Sequence, residues 1–286
     1  MTTWIDRPRT AATQKTAAFT GSGAYHASAR PRPPTPAGAA PVAVAEARAT
    51  TLERYAEAGV SDIAAFDAHF TNQYRVVAQL RVPDPLEIPR DQVTFCWCPL
   101  AEALEAAGPL TRSVLEVMAR HLAGHKRFVY IDSKIQAFEV GDVPVDSQQW
   151  HVDGSIAMRD ARVQRLGHPI LHDLRARQDH GDPPRYLAYQ SSTHCATEFL
   201  DQPLTLRLPE LVPDFVALDA AVRATQPTAV AQPAGSIVAF DGLSLHRPVA
   251  ATAAGWRLWV RCTETDREIR IDESVLDCYG TVFRPG

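Results

Sequence analysis

The sequence is short of cysteine, of long apolar runs and of excess positive charge, and each shortage closes off a class of protein. Its five cysteines, Cys96, Cys98, Cys195, Cys262 and Cys278, are odd in number and include no CxxC pair. Neither a disulfide framework nor a paired-cysteine zinc site is expected, and free thiols in a reducing cytoplasm follow. In "FCWCPL", Cys96 and Cys98 are expected to share one face of a strand as buried small apolar groups. No run of 18 apolar residues occurs, so no membrane span is expected. A net charge of −4 offers no general basic face, so no nucleic-acid partner is expected. The opening stretch "MTTWIDRPRTAATQK" lacks the apolar core of a secretory signal, and no internal repeat is visible.

What is present suits a large folded domain. Of the 286 residues, 45% are hydrophobic and 22% charged, ample for a sizeable core. Residues 1–45 read as a flexible Pro/Ala-rich arm, because "ARPRPPTPAGAAP" suits neither a helix nor a central strand. Residues 46–286 read as a single domain, helices first and strands after. Leu52, Tyr55, Ala56 and Val60 fall at helical spacing. Ser61 then caps an expected helix over "DIAAFDAHFTNQY", with Ile63, Phe66 and Phe70 on one side. "PLAEALEAAG" and "LTRSVLEVMARHLAGH" form a further helical pair, broken at Gly108 and Pro109. Beyond residue 126 come short strands: "RFVYIDSKIQAFEV", "RYLAYQSS", "TEFL", "GSIVAF" and "WRLWVRCTET". Helices followed by strands give an α+β class, a β-sandwich or barrel buttressed by helices.

A long connection, residues 157–184, interrupts the strand-rich half. It carries Arg159, Arg162, Arg165, Arg175 and Arg177, with His168, His172 and His180. It reads either as a solvated excursion or as a lid for an anionic or polar ligand.

The chemistry concentrates on both sides of that connection. In "WHVDG", strand alternation turns His151 and Asp153 to the same side, where an imidazole nitrogen and a carboxylate oxygen can meet one metal ion. Downstream, "GSIVAFDGLSLHRP" runs through an apolar strand and a turn at Asp241–Gly242 to His246, a third ligand. Two histidines and one carboxylate leave open coordination positions. Non-haem Fe(II) oxygenases use this set, and zinc hydrolases use a similar one. The strand that follows separates these readings. Arg257, Trp259 and Arg261 fall on one face and Leu258, Val260 and Cys262 on the other. Two arginines beside a metal are costly to bury unless an anion arrives, and a guanidinium fork matches a carboxylate. His194 is set aside because the ligand set is complete without it. Trp150 and Trp259 read as core aromatics.

The set His151-x-Asp153, His246 and Arg257 resembles the Fe(II)/2-oxoglutarate-dependent dioxygenase superfamily, closest to its taurine dioxygenase and clavaminate synthase-like branch or its phytanoyl-CoA hydroxylase-like branch. The resemblance covers roughly residues 126–266. It implies a double-stranded β-helix, a cupin-like jelly roll, with flanking N-terminal helices. It implies Fe(II) on His151, Asp153 and His246, with 2-oxoglutarate and O2 as cosubstrates. Arg257 is then the partner of the distal 2-oxoglutarate carboxylate, with Arg261 and Thr197, in "CATEFL", as further cofactor contacts. Retention of Asp153 implies hydroxylation rather than halogenation, with release of succinate and CO2. The expected substrate is a polar small molecule, an amino-acid derivative or natural-product intermediate. A hydroxylase of protein or nucleic acid, and a non-catalytic cupin-like metal-binding protein, are the alternatives. No oligomeric state is implied.

Overall fold

The computed structural model describes residues 65–91, 93–145, 148–153, 178, 181–209 and 215–268. The expected arm at 1–45, the helix at 49–60, most of the 157–184 connection and Cys278 lie outside the described residues.

Antiparallel sheets with a few helices make up the described residues, an α+β class. The strands are β1 (Ala65–Phe70), β2 (Arg75–Gln79), β3 (Cys98–Pro99), β4 (Phe128–Phe138), β5 (Arg185–Gln190), β6 (Thr197–Leu200), β7 (Leu204–Pro209), β8 (Ala229–Ala231), β9 (Ser236–Asp241), β10 (His246–Pro248) and β11 (Gly255–Thr265). The helices are α1 (Leu100–Ala106), α2 (Pro109–Arg120) and α3 (Phe215–Ala224). The largest sheet runs β2-β9-β5-β11-β4-β3; a second runs β10-β6-β8, and β1 pairs with β7.

The strands expected at 127–140, 185–192, 197–200, 235–240 and 256–265 are all present as β4, β5, β6, β9 and β11. So is the helical pair. Gly108 is required between the two helices by close approach: a Cβ there would lie 2.4 Å from Asp91 Oδ1. That same carboxylate accepts from Leu110 and Thr111 N–H at 2.9 and 3.0 Å, capping the start of α2. Val114, Leu115 and Met118 of α2 are buried against Ile131, Leu258, Val260 and Cys262 on the outer face of the large sheet. The apolar side expected for β11 is therefore the side under the helices.

Two expectations fail. The helix over 62–74 is replaced, from Ala65 to Phe70, by strand β1. Phe66 and Phe70 are four apart, which suits one helical face and equally one strand face. The intervening Ala68 decides it: Phe66, Ala68 and Phe70 are buried while Asp67 and His69 are exposed. Pairing with β7, Ala65 opposite Pro209 through Phe70 opposite Leu204, supplies the hydrogen bonds. The second failure is the Cys96–Cys98 strand. Trp97 lies in the left-handed region (φ 48°), so the pleat is interrupted and β3 begins only at Cys98. Trp97 is the buried residue there, and both thiols are half-buried.

The inner face of the large sheet meets the β10-β6-β8 sheet. Phe199 of β6 packs with Tyr186, Ala188, Val238 and Phe240. A separate core joins β1 and β7 to Trp150, Val152, Leu243, Leu245 and Leu218 of α3. Trp150 is thus a core aromatic, as expected. No helix among the described residues is long and apolar enough to cross a membrane.

Candidate metal centre

Val152 is fully buried in the core beside Trp150. Alternation along the backbone then turns His151 and Asp153 away from that core. His151 does not sit in a regular strand. It forms an isolated antiparallel bridge with His246, each N–H donating to the other's carbonyl at 3.0 Å. The neighbouring Trp150 N–H donates to Asp219 Oδ1 at 2.9 Å, tying the approach to α3.

His246 is fixed from the other side. Asp241 Oδ1 accepts from Leu243 N–H at 3.0 Å and from Ser244 Oγ at 2.7 Å, closing the turn after β9. Asn72, itself left-handed at φ 47°, receives Leu245 N–H on its Oδ1 at 2.8 Å. Phe199, opposite His246 in the β6–β10 register, lies with its ring 5.4 Å from the imidazole, and Phe240 lies at 5.1 Å.

Ligand atoms of His151, Asp153 and His246 all lie within 4.8 Å of one another. Ligand bonds of about 2.1 Å put two ligand atoms of one ion at most about 4.2 Å apart, so the cluster is close to the span of one coordination shell. His246 Nε2 is 3.5 Å from Asp153 Oδ2, and the two imidazole rings are 4.4 Å apart. The ring tautomers fit a metal as well. His151 Nδ1 faces Gln149 O at 2.8 Å and His246 Nδ1 faces Ser244 O at 3.1 Å. A carbonyl only accepts, so Nδ1 carries the proton in each ring and leaves Nε2 as a lone-pair donor. Burial first, and then the adjacent His246, lowers the His151 pKa to about 4, which keeps that imidazole neutral. Burial opposes charge on Asp153, but Arg261 and then His246 outweigh it and hold its carboxyl well below the usual range. Two imidazoles and one carboxylate can hold a metal ion.

The other candidates fall on adjoining strands. Arg257 is 2% exposed, on the inner face of β11. Its Nη2 points to Thr197 Oγ1 at 3.4 Å and its Nη1 to Cys195 Sγ at 4.0 Å, while its Nε has no partner. Among the described residues no carboxylate pairs with it, and burial lowers its pKa. Arg257 and Thr197 are therefore brought together across the two sheets. Thr197 lies two residues before Phe199 on β6, on the same face, so it is about 7 Å along the strand from the residue opposite His246.

Arg261 is placed differently from Arg257. Its Nη1 donates to Asp153 Oδ2 at 2.8 Å and its Nη2 to Asp132 Oδ2 at 2.9 Å. Trp259, between the two arginines, is flanked in register by Gln190 of β5 and Lys134 of β4. Lys134 Nζ lies 5.6 Å from the Trp259 ring centre. His194 stands apart from the three-residue cluster, packed where a Cβ on Gly255 would lie 2.7 Å from its ring.

Sequence reasoning missed Asp132, Lys134 and Gln136, all buried on the inner face of β4. A signal was present. In "YIDSKIQAF" these three polar residues recur with period two in an expected strand whose other face is apolar except for Ser133. No family model matches the chain, and no curated protein or solved structure matches it.

Proposed function

We propose that this chain is a non-haem Fe(II)/2-oxoglutarate-dependent oxygenase that hydroxylates a polar small molecule. On this reading, the facing sheets form a double-stranded β-helix. The observation that carries it is Arg257: a buried guanidinium without a carboxylate partner among the described residues, reaching Thr197 across the sheets from the His151–Asp153–His246 cluster. Such a group is costly to bury and becomes favourable when an anion binds it. The spacing of about 7 Å along β6 suits a short dicarboxylate whose far end meets Arg257 and whose near end lies at the metal.

Each residue then has a role. His151, Asp153 and His246 hold the metal and leave positions open. Arg257 and Thr197 orient the distal carboxylate, and Phe199 and Phe240 wall His246 off from water. Gln190 and Lys134, flanking Trp259, give the inner face a polar stretch suited to a polar substrate. When bound, Fe(II) with 2-oxoglutarate and O2 supplies oxidative decarboxylation to succinate and CO2, coupled to hydroxylation of a substrate C–H bond.

The test is anaerobic addition of Fe(II) and 2-oxoglutarate to the full chain. A visible charge-transfer band is expected, absent in His246→Ala. Metal binding without that band would overturn the oxygenase reading and leave a metal-binding protein without this cosubstrate.

A further inference from the structure

Asp153 lies outside any regular strand, and the described ties on its stretch are at Trp150 and His151, so the backbone alone does not fix its carboxylate. Arg261 holds it at shorter range than the His246 imidazole, which stands 3.5 Å away. One end of that guanidinium holds Asp153 Oδ2 at 2.8 Å and the other holds Asp132 Oδ2 at 2.9 Å. Asp132 is fully buried and stands directly opposite Arg261 in the β4–β11 register. Its second oxygen, Oδ1, accepts Trp97 N–H at 2.9 Å. The guanidinium carbon lies 5.4 Å from the Trp97 ring centre, 5.4 Å from that of Trp259 and 5.8 Å from that of Tyr186. Aromatic rings therefore restrict its motion, and two carboxylates fix its ends.

We propose that Arg261 is a positioning residue, a clamp between Asp132 and Asp153 that orients the Asp153 carboxylate toward a metal held by His151 and His246. The proposal rests on the metal-centre reading and deepens it. Simple electrostatics argues the other way. A guanidinium beside a dication repels it, so its removal should tighten metal binding. A positioning role requires the opposite sign, because groups that orient a ligand typically contribute 10- to 100-fold to metal affinity. Charge alone would also be satisfied by lysine, whereas a clamp needs the planar fork that reaches two carboxylates at once.

The experiment uses the full chain, stripped with a chelator and titrated with Co(II), in wild type, Arg261→Lys, Arg261→Gln and Asp132→Asn. Calorimetry gives the affinity, and the visible Co(II) absorption reports the ligand geometry. Near-ultraviolet circular dichroism checks the fold. Co(II) affinity is expected to fall about 10-fold or more in both Arg261 variants, with an altered Co(II) spectrum and no rescue by lysine. Equal or tighter binding with an unchanged spectrum in the folded Arg261 variants would overturn the clamp. If Arg261→Gln does not fold, Asp132→Asn decides. That variant keeps an acceptor for Trp97 N–H while freeing one end of Arg261, so a partial loss supports the clamp and wild-type affinity overturns it. A wild-type chain that takes up no Co(II) overturns the metal-centre reading, and the clamp with it. Wild-type uptake without a response to 2-oxoglutarate overturns only the oxygenase reading.

Discussion

His151 and His246 exchange both of their backbone hydrogen bonds, at 3.0 Å in each direction, although a long connection and several strands separate them in the chain. This one bridge holds the two imidazoles 4.4 Å apart, and carbonyls at Gln149 and Ser244 set their tautomers. The main chain thus sets the placement of two of the three candidate ligands.

Replacing either histidine should therefore remove metal binding without removing the bridge. His151→Ala and His246→Ala are each expected to lower divalent-metal affinity by well over 10-fold, measured by calorimetry on folded protein. His246→Ala should also cost some stability, because the ring packs against Phe199 and Phe240. Unchanged metal affinity in either variant would remove that residue from the centre.

Arg257 separates stability from function. Among the described residues its guanidinium hydrogen-bonds to Thr197 and Cys195 and pairs with no carboxylate. Arg257→Met is expected to leave the ligand-free protein as stable as wild type, or more stable by about 1–2 kcal/mol in urea unfolding. The same change should weaken 2-oxoglutarate binding roughly 30-fold or more, the loss expected when one partner of a buried charge pair is removed. Metal affinity should stay near wild type. A destabilised variant with undiminished 2-oxoglutarate binding would show Arg257 to be structural.

Glu264 offers the converse. It is 1% exposed, pairs with Arg185, and accepts from Ala123 N–H at 2.8 Å, at the end of β11 away from Arg257. Glu264→Ala leaves a guanidinium and a backbone donor without their acceptor. Urea unfolding should show a loss of about 3–5 kcal/mol. Co(II) affinity of the folded fraction should not change, since no metal ligand touches Glu264.

Cys98 should react slowly with alkylating agents at pH 8. Burial, then Glu102 and Asp132, raises its thiol pKa to about 11, so little thiolate is present at that pH. The rate should climb as the pH approaches 11. Mass spectrometry of the Cys96→Ser variant isolates this thiol, and rapid alkylation at pH 8 would contradict the expectation.

The failed helix at β1 shows where local pattern stops being informative. Phe66 and Phe70 satisfy both periods, and the choice was made by β7, whose edge supplies six paired positions from Ala65 to Phe70. The arginines show the same limit. Alternation placed Arg257 and Arg261 on one face of β11, and both do lie on its inner side. Alternation says nothing about what stands opposite. Gln136 faces Arg257 and Asp132 faces Arg261 because of the β4–β11 register, so among the described residues one arginine pairs with no carboxylate and the other pairs with two.

By itself, the sequence determined the late strands, the helical pair before them and the side to which His151 and Asp153 turn. These follow from side-chain period and from glycine and proline positions, which act over a few residues. Only the tertiary structure decided that His151 meets His246, that Thr197 reaches Arg257 and that Asp132 shares Arg261 with Asp153. Those contacts join residues far apart in the chain, and strand register, a property of the assembled sheets, selects them.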